Sequence, residues 1–177
     1  MFSIQLLVDR CRAALESDDP SDTVATVLRD AVSDPDAVTT AVAEWKATGR
    51  TDYGAIYRAR DLTILHAAVK PGFESPRHNH TMWAVSGVYE GQEDNTFYRR
   101  GDSGIEEVGH AEIRAGEAQV LPADVIHRIA NRKSSALQAI HVYGGDLLGI
   151  ERSMWDDTTG GERRFDFTAP PVQALSS

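Results

Sequence analysis

The stretch Pro71-Gly72-Phe73-Glu74-Ser75-Pro76-Arg77-His78-Asn79-His80-Thr81-Met82-Trp83 sets two histidines one residue apart, shortly after a turn signal and just before a long apolar run. Pro71-Gly72 marks the turn. Trp83 to Tyr89 then reads as a strand, closed by Glu90-Gly91. Side chains alternate faces along a strand, so residues two apart point the same way. His78 and His80 can therefore reach one ion together, and neutral imidazole suits iron, zinc, copper and nickel. By itself the pair is equally compatible with an exposed His-x-His that binds nothing.

More short strands follow outward from this stretch. Ala55-Ile56-Tyr57 and Leu62-Thr63-Ile64-Leu65 precede it; Thr96-Phe97-Tyr98-Arg99, Ala118-Gln119-Val120-Leu121 and Leu137 to Tyr143 come after it. Short strands separated by Gly, Pro and Asp predict a sandwich or barrel. Residues 1–50 have helical periodicity instead. Leu6, Leu7, Cys11, Ala14 and Leu15 form one apolar stripe, and Val24, Val27, Leu28 and Ala31 a second behind a cap at Ser21 or Asp22. Asp34-Pro35 starts a third helix that turns Val38, Ala41, Val42 and Trp45 inward, with Gly49 as its stop. Phe165 and Phe167 in the polar tail are expected to pack back onto the body. The reading is one domain over 1–177: helices in 1–50 against a barrel core in 51–150, and a C-terminal extension in 151–177.

The chain has 177 residues, 18 Lys and Arg against 27 Asp and Glu, and a net charge of −9. That balance argues against a nucleic-acid or anionic-membrane partner, since phosphate binding needs a basic surface. The single cysteine, Cys11, supports neither an internal disulfide nor a cysteine-based zinc site. A reducing, cytoplasmic setting is the expectation. The opening residues do not read as a secretory leader, because Asp9, Arg10 and Arg12 interrupt them. No stretch has the roughly 18–20 apolar residues of a membrane-spanning helix.

Spacing gives the histidine pair a context. Gly72 precedes His78 with five residues between, and Gly91 lies eleven positions after His80. Gly116 is followed by Pro122, Asp124, His127 and Asn131. This series resembles the two-part signature of the cupin superfamily, G-x5-H-x-H-x3-E-x6-G and G-x5-P-x-G-x2-H-x3-N, over residues 72–131. The resemblance implies an RmlC-like double-stranded β-helix barrel, mainly β, with the N-terminal helices flanking it. It also implies one divalent metal on His78, His80 and His127. Two positions depart from the pattern. Asp124 stands where the signature has glycine, in a turn that tolerates a left-handed Asp. Ala84 stands at the glutamate, so the resemblance implies three histidine ligands and no carboxylate, with positions left open on the ion.

A three-histidine cupin is similar to the thiol dioxygenases, the cysteine dioxygenase and 3-mercaptopropionate dioxygenase family. These oxidise a thiolate to a sulfinate with ferrous iron and molecular oxygen. The family's Ser-x-His-x-Tyr motif is matched by Ala139-Ile140-His141-Val142-Tyr143, in which Ala139 truncates the relay. Asn79 replaces the family's usual Asp between the two histidines, and Val85 replaces the cysteine of the animal enzymes' Cys-Tyr crosslink. On this resemblance Tyr143 and His141 are catalytic, and Arg152 anchors a substrate carboxylate. Arg58 or Arg60 is the alternative anchor, and Trp83 walls the cavity. Fe(II) is the expected metal, with zinc, nickel or manganese able to occupy the site in a purified sample. The expected partners are a small-molecule substrate and oxygen, and a homodimer fits the resemblance.

Each assignment has an ordinary alternative. Tyr143 could satisfy its hydroxyl on a backbone carbonyl, His141 could be a packed core residue, and Arg152 could pair with Asp156 on the surface. His66 and His110 are read as structural or exposed, Arg99-Arg100 as a solvated face, and Asp18-Asp19 and Asp156-Asp157 as turns and caps. Two other functions fit the same scaffold. One is a different dioxygenase, for example one cleaving a diketone, and the other is a non-enzymatic metal or small-ligand binding cupin.

Overall fold

The structure is a computed structural model that describes residues 2–49, 54–102, 104–166 and the backbone of 172–173. Three helices come first: α1 (Ile4–Ala14), α2 (Pro20–Val32) and α3 (Pro35–Ala47). Thirteen strands follow among the described residues: β1 (Ala55–Arg58), β2 (Thr63–Val69), β3 (Phe73–Glu74), β4 (Arg77–Asn79), β5 (Ala84–Glu90), β6 (Gln92–Gly101), β7 (Gly104–Arg114), β8 (Ala118–Leu121), β9 (Ile126–Ala130), β10 (Leu137–Tyr143), β11 (Ser153–Trp155), β12 (Glu162–Arg164) and β13 (Val172–Gln173). The expectation of a mainly β barrel with N-terminal helices holds. One sheet runs β1-β2-β10-β5-β8; in the other, β11-β4-β9 continues through β6 to β7.

The helices form where their caps permit. Ser3, Asp19 and Asp34 each accept a backbone N–H of the first turn, and Pro20 and Pro35 open their helices. The cap of α2 is thus Asp19 rather than Ser21 or Asp22, because Pro20 already occupies the first helical position. Leu6 is 43% exposed and lies outside the apolar stripe of α1. Helices and first sheet share one core: Val24, Leu28 and Val32 pack with Val85, Tyr89, Ile140 and Val142. Gly87 makes the close approach possible, because a Cβ there would stand 3.1 Å from Leu28 Cβ.

Alternation along β5 and β10 then divides outside from inside. Val85, Tyr89, Ile140 and Val142 face the helices. The residues between them face the barrel interior in three layers. Val88, Ala139, Val69, Ile113 and Leu137 form an apolar floor. Ser86 and His141, partnered across the two strands, form a polar middle. Ala84, Tyr143, Met82, Leu121, Val125 and Leu147 form an apolar top.

Candidate metal centre

His78 lies on β4 and pairs directly across the ladder with His127 on β9. Facing partners in such a ladder hold their Cβ atoms about 5 Å apart, close enough for two imidazoles to share an ion. His80 follows the end of β4. Thr81 then turns the chain with φ 59°, a left-handed conformation that a β-branched residue seldom adopts, and its hydroxyl donates to the His80 carbonyl at 2.6 Å. The expectation of a left-handed Asp124 is corrected, since Thr81 is the one non-glycine residue with positive φ among the described residues. Ligand atoms of the three histidines lie within 4.8 Å of one another, and His80 Nε2 stands 3.2 Å from Nε2 of both His78 and His127.

The hydrogen bonds assign the protons. His78 Nδ1 donates to the Pro76 carbonyl at 2.9 Å, which leaves its Nε2 bare. His127 Nδ1 donates to Asn95 Oδ1 at 2.8 Å, with the same result. His80 Nδ1 is buried with no partner. The bare Nε2 atoms of His78 and His127 therefore both face His80 Nε2, so three imidazole nitrogens converge on one point where a cation can sit. The rings are held neutral. Burial, with the charge of Arg152, pushes His78 down to about 3. Burial and the neighbouring imidazoles hold His80 and His127 well below the usual histidine range. Nitrogens 3.2 Å apart, at ligand bonds of about 2.1 Å, subtend an angle of about 100°. The three residues thus fit a divalent ion that takes imidazole, and Ala84 lines the same cavity without adding a carboxylate.

A buried carboxylate not anticipated from the sequence stands behind the triad. Glu93 on β6 is 1% exposed. Its Oε2 accepts from His141 Nε2 at 2.7 Å and from Ser86 Oγ at 3.2 Å, and its Oε1 accepts from Asn95 Nδ2 at 3.0 Å. Burial alone would raise its carboxyl, but its contact with His141 above all, and its hydrogen bond with Asn95, carry it down to about 2. His141 Nδ1 lies 3.4 Å from the Tyr143 hydroxyl, and the Tyr143 ring stands edge-on to His80 at 5.0 Å. The run Gln92-Glu93-Asp94-Asn95-Thr96 is polar throughout yet wholly buried, so hydropathy hid it. Its signal was alternation, which puts Glu93, Asn95 and Phe97 on one face, and Phe97 pairs with His127.

No family model matches the chain. Many solved structures resemble it, in fold alone. An RmlC-like cupin family protein with a double-stranded β-helix fold from Methanocaldococcus jannaschii is 16% identical, with 56% of this chain and 87% of that one covered and a TM-score of 0.44. A Cupin 2 conserved barrel domain protein from Salinispora arenicola is 20% identical over 49% of this chain and 65% of that one, at 0.39. An oxalate oxidase in complex with the substrate analogue glycolate is 19% identical over 55% of this chain and 54% of that one, at 0.43.

The remaining candidates divide. Arg152 is buried, precedes a strand rather than sitting on a helix, donates to the Asn79 carbonyl at 3.2 Å and lies 3.4 Å from the centre of the Phe165 ring. That ring also meets His78 edge-on at 5.4 Å, so Phe165 does pack back onto the body; Phe167 lies outside the described residues. Arg58 forms a two-bonded pair with Asp146, and Arg60 is exposed beside a separate surface depression with Thr81, Met82 and Asp146. None of the three arginines lines the cavity. Trp83 does not wall it either. Alternation turns Trp83 to the opposite face from Ala84, where it packs with the helix-side core and against Gly144. Asp157 sits in a turn, as expected, and from there also binds Arg77 and Arg128 at 2.8 and 2.6 Å. His66 is buried against the Tyr89 hydroxyl at 2.7 Å and His110 is exposed. No helix among the described residues is long and apolar enough to cross a membrane.

Four histidines held neutral by burial make the metal-free protein sensitive to acid. His66 is pushed down to about 4 and His78 to about 3, with His80 and His127 also lowered. The unfolded chain, with histidines near 6.5, binds more protons than the folded one between those values, so stability rises with pH across that window. It should be complete above about pH 6.5 and fall as pH drops toward 4, with a slope of more than one proton. Urea melts of the metal-free protein across this range test it, and a flat profile would contradict it.

Proposed function

We propose that the chain is a metal-dependent oxygenase in which ferrous iron on His78, His80 and His127 serves to oxidise the thiol of a small thiol carboxylate to a sulfinate. The observation that carries this reading is the convergence of three imidazole nitrogens at one cavity with no carboxylate in the ligand group, the Glu93 carboxylate that lines the cavity being held by His141, Ser86 and Asn95. Neutral ligands leave the ion's charge undiminished, which favours an anionic thiolate. When bound, ferrous iron supplies affinity for thiolate and dioxygen and the electrons that activate oxygen.

The chain's own residues provide the rest. Arg152 offers a guanidinium to the substrate's carboxylate, and Phe165 is the ring that touches both Arg152 and His78. Burial raises the Tyr143 hydroxyl above the usual tyrosine range, so it stays an O–H donor beside the triad. Ala84, Leu121 and Ile129 give the cavity apolar walls. The cavity, about 30 Å³, admits one or two waters. A thiol carboxylate therefore has to move side chains at its rim.

Oxygen uptake by iron-loaded protein with 3-mercaptopropionate and with cysteine tests the reading. Uptake coupled to sulfinate is expected, lost in His127→Ala, with KM raised about 10–100-fold in Arg152→Ala. No uptake with either thiol at full iron occupancy would sink it. The apolar lining of Ala84, Leu121 and Ile129 favours a second reading, cleavage of a diketone. Uptake with a β-diketone alone, indifferent to Arg152→Ala, would establish that one instead.

A further inference from the structure

We infer that Glu93 is the positioning residue of this centre: its one carboxylate fixes the tautomer of His127, through Asn95, and the tautomer of His141, which faces Tyr143. The inference rests on the metal-centre reading above and extends it to residues outside the triad.

Donor and acceptor accounting carries it. An ionised carboxylate can only accept. Glu93 Oε1 therefore draws the Asn95 amide N–H toward itself, at 3.0 Å, and turns Asn95 Oδ1 to His127. An oxygen at that place demands a hydrogen on His127 Nδ1 and so leaves Nε2 bare for the ion. Orientation of ligand histidines by such outer partners is the usual device of protein metal sites. The other oxygen demands a hydrogen on His141 Nε2, at 2.7 Å. In neutral His141 this makes Nδ1 the acceptor for the Tyr143 hydroxyl, 3.4 Å away. The circuit thus runs from one histidine of the triad to the ring that leans on another, His80. It also accounts for Ala139. That residue belongs to the apolar floor with Val69, Val88 and Leu137, and His141 Nε2 donates instead to Glu93 on β6.

Glutamine at this position cannot keep both contacts. It has the same shape but one accepting and one donating end. If the amide nitrogen faces Asn95, Asn95 must flip and His127 loses the bare Nε2. If it faces His141, that ring must change tautomer and can no longer accept from Tyr143.

The test is Glu93→Gln beside wild type and Ser86→Ala, which removes one donor to Glu93 but neither tautomer constraint. The readouts are cobalt(II) affinity with its visible spectrum, and imidazole ¹H–¹⁵N NMR of the zinc-loaded proteins. In wild type, hydrogens are expected on His127 Nδ1 and His141 Nε2. Glu93→Gln should either lose about 10–100-fold in cobalt affinity or move the His141 hydrogen to Nδ1, while Ser86→Ala stays within about twofold of wild type. Unchanged affinity and unchanged tautomers in folded Glu93→Gln would overturn the inference. So would a hydrogen on His127 Nε2 or on His141 Nδ1 alone in wild type, a result that does not depend on the variant folding. Failure of the wild type itself to bind cobalt would instead refute the metal-centre reading.

Discussion

Replacing His80 by alanine is expected to cost about 10²–10³-fold in affinity for cobalt(II) or zinc(II), roughly one ligand's share of a protein–metal binding energy. His80 is the middle of the triad, 3.2 Å from each neighbour. Its removal leaves His78 and His127, which cannot close the site alone. The cost should appear only with metal present. At about a hundredfold excess over Kd, metal should stabilise wild type by about 2.7 kcal/mol, and this gain should vanish in the variant. Without metal the variant should stay within about 1 kcal/mol of wild type. It loses the packing of one ring, but also a buried nitrogen that has no partner. Denaturant melts with and without metal separate the two effects. A variant that keeps its metal affinity would refute the ligand assignment. One that loses several kcal/mol without metal would make His80 an ordinary core residue.

Gly91→Ala should be the most damaging single-methyl change outside the metal ligands. Gly91 links β5 to β6 with φ 75°, and a Cβ there would lie 2.5 Å from the Ala136 carbonyl oxygen and 3.2 Å from Leu137 Cα. Both are backbone atoms, so no rotamer change relieves the clash. Strain in the left-handed region and overpacking together predict a loss of about 2–5 kcal/mol, or about 5–15 °C in Tm. Gly116→Ala is the control. Its φ is 88°, yet nothing lies within 4 Å of the added Cβ, so only the conformational part, about 1 kcal/mol, should remain. Equal losses at the two positions would contradict this account. Because Glu93 follows Gly91 by two residues, a distorted β6 should also weaken metal binding.

The sequence by itself determined the helices, the barrel class and the three histidines. Helix caps and strand alternation act between near neighbours, and His78 and His80 share a face through the local geometry of one strand. His127 was legible only through the resemblance of residues 72–131 to the two-part cupin signature. Tertiary structure decided the rest. Glu93 and Asn95 reach the site only because β6 pairs with β9, and a strand reveals no partners in its own order of residues. Buried polar residues in β6 read as exposed until the charge and hydrogen bonds that offset their desolvation are in place. Trp83 and Ala84 are adjacent in the chain, yet only the helices packed outside the first sheet decide which of them faces the cavity. Phe165 meets Arg152 and His78 through β11, which pairs with β4. Local chemistry therefore named the groups that can bind a metal, and long-range strand pairing selected the groups that orient them.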